Sequence, residues 1–137
     1  VRYTASALLD MAVHSRTEAE APDLAAFEAA ELQRIGLPPG VGLNHRLPHF
    51  QHLFSGDGYA AGYYSYLWAE VLDADAFAAF TEAGDPFDPA TAKRLHDFIY
   101  SAGNRRDPAE AYKAFRGRMP SVDALLKKRG LIETEAA

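Results

Sequence analysis

The chain has 137 residues, 48% of them hydrophobic, enough for one domain with a modest core. Nineteen acidic against fourteen basic side chains give a net charge of −5, which disfavours a nucleic-acid role, for which a basic stripe is wanted. The absence of cysteine excludes disulfides and thiolate metal sites and fits a reducing, cytoplasmic setting, and no run reaches the roughly eighteen apolar residues of a membrane span.

A first helix is expected from caps at Thr4 or Ser6 to about Arg16, with Leu8, Leu9, Ala12 and Val13 at helical spacing. Thr17 to Pro22 is a polar break. Pro22 or Asp23 then opens a second helix whose apolar side is Leu24, Phe27, Ala30, Leu32 and Ile35, with Glu28 and Glu31 on the other side and Gly36 as its stop. Leu37 to Gly42 is a connector, since paired prolines and glycines punctuate it. His45 to Phe54 reads as extended chain or one short helix. From Tyr59 to about Glu82 runs the longest helical pattern, with Leu67, Val71, Ala74 and Ala78 on one stripe, Trp68 and Leu72 beside it, and Gly84 and Pro86 ending it. Asp88-Pro89 and Asp107-Pro108 each pair a cap acceptor with a first-turn proline, so two more helices begin there, with Leu95, Phe98, Ile99, Ala111 and Phe115 supplying core. Ser121 caps a last helix with Leu125 and Leu126 inside and Gly130 as its stop, and the tail after Leu131 is expected to fray. No alternating strand pattern occurs, so the expectation is one all-α domain over residues 1–137. Because the chain starts at Val1 without an initiator methionine, it is expected to be a piece of a longer polypeptide.

Chemistry concentrates between His52 and Tyr66. Tyr59, Tyr63 and Tyr66 are spaced i, i+4 and i+7, which on a helix puts three phenols on one face, while Tyr64 lies off that stripe and is expected to be structural. Repeated tyrosine needs a partner for each buried hydroxyl, which favours phenols lining a cavity over phenols filling a core. Converging hydroxyl donors suit an oxyanion, but no His-Glu-x-x-His motif is present to activate water. His45, Arg46, His49 and His52 lack the carboxylate that a zinc site of this kind needs, and Pro48 interrupts them, so loop packing or substrate contact is expected there. Gly56 and Gly58 bracket Asp57 in a turn that reads as a surface turn or as a hinge closing over bound peptide. Arg116 either receives a peptide carboxylate as a bidentate partner or pairs with acids such as Asp107 or Glu110.

The run from Gly58 to Leu72, with Thr4 to Ala7, His45 to Phe50, Asp75 to Phe77, Ser101 to Asn104, Lys113 to Arg118 and Asp123 to Leu126, resembles the C-terminal region of M3-family zinc oligopeptidases, in their peptidyl-dipeptidase and oligopeptidase A branch. The resemblance implies a helical part of a larger metallopeptidase that hydrolyses short peptides. It implies that Tyr59 and Tyr66 reach the scissile carbonyl or its oxyanion, that His52 contacts substrate, and that Tyr63 follows as a substrate contact. The family's zinc ligands lie upstream of the matched region. Zinc is therefore expected in the complete enzyme and none in this chain, whose partners would be the peptide and the missing N-terminal catalytic half. Two other readings stay open: a non-catalytic helical interaction or regulatory module, and one half of an enzyme completed by a separate chain.

Overall fold

In a computed structural model, which describes residues 1–18 and 20–133, the chain is all-α, with seven α-helices, two short 3₁₀ turns and a π-turn, and no strand among the described residues. Residues 134–137, most of the tail expected to fray, lie outside the described residues. The chain divides into two compact units, Val1–Leu67 and Trp68–Ala137.

The first unit holds α1 (Arg2–His14), α2 (Leu24–Arg34), a 3₁₀ turn (Leu47–His49), α3 (Gln51–Phe54), a second 3₁₀ turn (Asp57–Tyr59) and the start of α4 (Ser65–Ala83). Neither Thr4 nor Ser6 caps α1, because the helix already begins at Arg2 and the Ser6 hydroxyl donates inside it, to the Arg2 carbonyl at 3.1 Å. Asp23 does open α2, its carboxylate accepting from Ala25 N (2.9 Å) and Ala26 N (3.1 Å), a cap worth about 1 kcal/mol. Leu9, Leu47, Phe50 and Leu53 are the buried hydrophobic anchors. Glu28 departs from its expected place on the solvent side of α2. It is 5% exposed and accepts from the Leu47 amide at 2.7 Å and from the Arg46 guanidinium, which makes this carboxylate the fastener of the first 3₁₀ turn. A buried amide and a buried acid satisfy each other here, and neither would tolerate being left alone.

The second unit comprises the rest of α4, α5 (Pro89–Leu95), the π-turn (His96–Tyr100), α6 (Pro108–Arg116) and α7 (Asp123–Lys128). Asp88 and Asp107 cap α5 and α6, accepting from Thr91 N (2.6 Å) and from Ala109 N and Glu110 N (2.9 and 3.1 Å). Its core is Ala79, Tyr112 and Phe115, against which Leu72, Ala76, Leu95, Phe98 and Ile99 pack. Gly117 ends α6 at φ 79°, a left-handed conformation that glycine adopts at least cost. Ser121 caps from one residue further out than expected, accepting from Asp123 N at 3.3 Å, while Val122 precedes the helix.

Candidate active site

The tyrosine block does not form one helix. α4 begins only at Ser65, Tyr59 ends a 3₁₀ turn, and residues 60–64 are turns. Two features break the expected helix: Ala61 adopts φ 55°, and the Ala61 and Tyr63 amides leave the helical pattern to bond a side chain. That side chain is Asp10 on α1, 0% exposed. Its Oδ1 accepts from Ala61 N at 3.0 Å and its Oδ2 from Tyr63 N at 2.9 Å. His14, one helical turn on, places Nδ1 2.7 Å from Asp10 Oδ1. Tyr3, two turns earlier on the same face of α1, stacks on Tyr63 (centroids 4.9 Å apart) and donates its hydroxyl to the Tyr63 carbonyl.

This loop still brings His52, Tyr59, Tyr63 and Tyr66 together. His52 Nε2 lies 3.0 Å from the Tyr66 hydroxyl, and its ring stands 4.5 Å from that of Tyr59 and edge-on to Tyr63 at 5.7 Å. Tyr63 also meets Tyr66 edge-on at 5.5 Å and Phe50 at 5.0 Å. Tyr59 and Tyr66 remain 49% and 43% exposed, so ring packing orients them without enclosing their hydroxyls. A cleft of about 410 Å³ is lined by Tyr3, His45, Phe50, His52, Tyr63 and Tyr66. Desolvation against the neighbouring rings, followed by the bond to Tyr59 and the charge that Tyr59 and Tyr63 would carry, raises the Tyr66 pKa above the usual phenol value, so Tyr66 keeps its proton and remains a donor at neutral pH.

Tyr64, expected to be structural, is 55% exposed and lies in the turns before α4. Gly56 precedes the second 3₁₀ turn and Gly58 is its middle residue, and a Cβ at either would meet open space. Gly62 is the constrained one: a Cβ there would sit 3.3 Å from the Tyr59 carbonyl oxygen.

Arg116, in the second unit, pairs with acids, as its second reading expects, though not with Asp107 or Glu110. Its side chain is 5% exposed, Nε donates to Asp75 Oδ2 (3.2 Å), and Nη1 and Nη2 donate to the two Glu82 oxygens at 2.8 Å each. Asp107 is spent as a helix cap and Glu110 pairs with Lys113, so α4 rather than α6 supplies the acids, and the guanidinium fork has no edge free for a peptide carboxylate. Asp75, 0% exposed, also accepts from Tyr112 OH (2.7 Å) and Arg118 Nη2 (2.7 Å). Burial by itself would raise the Asp75 pKa, but the bonds from Tyr112, Arg116 and Arg118 outweigh it and hold the carboxyl below the usual range.

Sequence reasoning missed Asp10, Tyr3, Phe50 and Gly62. A signal for the first was present: one acid between Leu9 and Met11 in an otherwise apolar turn, seven residues after Tyr3 and four before His14.

The site therefore offers phenol and imidazole hydrogen bonds beside an open cleft, and no carboxylate base among its members. The model of peptidase family M3 matches residues 1–131. Oligopeptidase A of Haemophilus influenzae is 54% identical over 88 residues, 64% of this chain and 13% of that protein. Oligopeptidase A of Escherichia coli is 52% identical over 87 residues, 63% of this chain and 12% of that protein. Dipeptidyl carboxypeptidase of Salmonella typhimurium is 40% identical over 128 residues, 92% of this chain and 18% of that protein. The chain belongs to peptidase family M3. It spans less than a fifth of the length of these relatives.

Family membership implies zinc, and the residues present do not fit it. Among the described residues no three His, Asp or Glu side chains converge as a metal site. Of the nearest histidines, His45 packs on Phe50 and His52 faces the Tyr66 hydroxyl. No helix among the described residues is long and apolar enough to cross a membrane.

Proposed function

We propose that this chain is the substrate-binding and oxyanion-stabilising part of an oligopeptidase or peptidyl-dipeptidase that hydrolyses short peptides, and that it is inert by itself. The observation that carries the reading is the 3.0 Å contact between His52 Nε2 and the Tyr66 hydroxyl, beside an exposed Tyr59 whose ring is parallel to that of Tyr66. With the proton on Nε2, His52 donates to the Tyr66 oxygen, and the phenol proton is left to bond Tyr59 or the substrate. Tyr59 and Tyr66 then donate to the carbonyl oxygen as it becomes an oxyanion, the point at which such donors are worth most. His52 and Tyr63 hold the peptide along the cleft, and the turn at Gly56 and Gly58 carries Tyr59 toward it. The group that activates the attacking water, together with the zinc of the complete enzyme, belongs to residues outside this chain, and the cytoplasm is the proposed setting.

The test is a peptidase assay with internally quenched short peptides. The 137-residue chain is expected to bind no stoichiometric zinc and to cleave nothing. The complete protein should cleave, and Tyr59→Phe in it should lower turnover about a hundredfold. Tight zinc and cleavage by the chain alone, lost on replacing His45 or His49 by Ala, would contradict the reading.

A further inference from the structure

The position of the tyrosines is set from a helix that carries none of the proposed oxyanion donors. Residues 59–64 cannot hold their own shape, since their hydrogen bonds are turn-like, Ala61 is left-handed, and the Ala61 and Tyr63 amides find no backbone partner. One buried carboxylate takes both amides. Two amides two residues apart that aim at a single anion form a concave donor pair, and Asp10 fills it from within the protein. His14 completes Asp10 on the Oδ1 side.

We propose that Asp10 is a positioning residue for catalysis, the group that sets the angle of the 59–64 loop and so aims Tyr59, Tyr63 and Tyr66 at the substrate. This rests on the reading of Tyr59 and Tyr66 as oxyanion donors. Asp10 touches no substrate. It acts only through the loop, and Tyr3, which holds the Tyr63 carbonyl from the same helix face, supports it.

Asp10→Asn tests the proposal, since Asn keeps the shape but turns an NH₂ toward one of the two amides. In the complete protein it should lower kcat about a hundredfold, the scale of an ångström-sized misplacement, with KM changed by less than about threefold. The same substitution in a Tyr59→Phe/Tyr66→Phe background should lower kcat by less than about fivefold further, because its effect runs through hydroxyls already gone. Equal losses in both backgrounds, or wild-type kcat for Asp10→Asn, overturn the proposal. Amide exchange on the unsubstituted protein gives a reading that no folding failure can obscure. Ala61 and Tyr63 N–H should exchange at least about a hundredfold more slowly than solvent-exposed loop amides. Unprotected amides there overturn the proposal. Wild-type turnover for Tyr66→Phe alone, with both amides protected, would instead fault the oxyanion reading and leave the Asp10 clamp standing as structure only.

Discussion

The rings of Tyr59 and Tyr66 lie within 6° of parallel with centroids 6.4 Å apart, although one closes a 3₁₀ turn and the other sits in the first turn of α4. His52 bridges them, 4.5 Å from the first ring and 5.7 Å from the second. The loop between the two tyrosines sets this arrangement, and Gly62 in it leaves little room for a side chain.

Gly62→Ala should disturb this pair with little effect on the rest of the chain. The new Cβ would meet the Tyr59 carbonyl at 3.3 Å, and because that neighbour is backbone, Tyr59 itself must shift. We expect a stability loss of about 1 kcal/mol and roughly a tenfold fall in turnover of the complete protein. Urea unfolding and peptide kinetics on the same variant check this. Unchanged turnover would mean that Tyr59 has slack.

Glu28→Ala should cost the first unit about 2 kcal/mol. It strips the acceptor from the Leu47 amide, where Leu47 is 0% exposed, and unpairs Arg46. Chemical denaturation followed by far-UV circular dichroism is the measurement. A loss under about 0.5 kcal/mol would place the Leu47 amide in contact with water instead.

The second unit should lose stability in acid through Asp75. Its carboxyl is held below the usual value in the folded state, so its stabilising contribution is fully present above the unfolded value of about 4 and is lost as pH falls through the lower folded value. Glu82 shifts in the same direction through its bond to Arg116, but it is more than half exposed and weighs less. Asp75→Asn should cost about 3 kcal/mol at pH 7, because Arg116 loses a buried partner, and should flatten the decline of stability below pH 4. Unfolding free energies measured between pH 7 and pH 2 test both parts, and parallel curves for the two proteins would remove Asp75 as the titrating group.

What the sequence reveals is what is decided locally. The caps Asp23, Asp88 and Asp107 act within three residues of themselves, and Gly117 and Gly130 stop helices by their own positive φ, so each is readable where it stands. The phenol and imidazole cluster is readable as a composition, but not as a geometry. Helical spacing placed Tyr59, Tyr63 and Tyr66 on one face for the wrong reason, since their convergence depends on Asp10, 51 and 53 residues away from the amides it binds. Glu28 and Arg116 were misplaced for the same cause. Their partners lie 18 or more residues off, and an acid on a helix looks solvent-facing until the buried amide that needs it is known.

The central claim is that the Tyr66 hydroxyl bonds the developing oxyanion, and Tyr66→Phe in the complete protein tests it most directly. Phenylalanine keeps the ring against Tyr63 and His52 and removes the hydroxyl, and with it both the donor and the acceptor of His52 Nε2. Because the bond forms in the transition state, kcat should fall about a hundred- to a thousandfold, near 3 kcal/mol, while KM and thermal stability stay close to wild type. A variant with wild-type kcat would contradict the account and reduce Tyr66 to a packing residue.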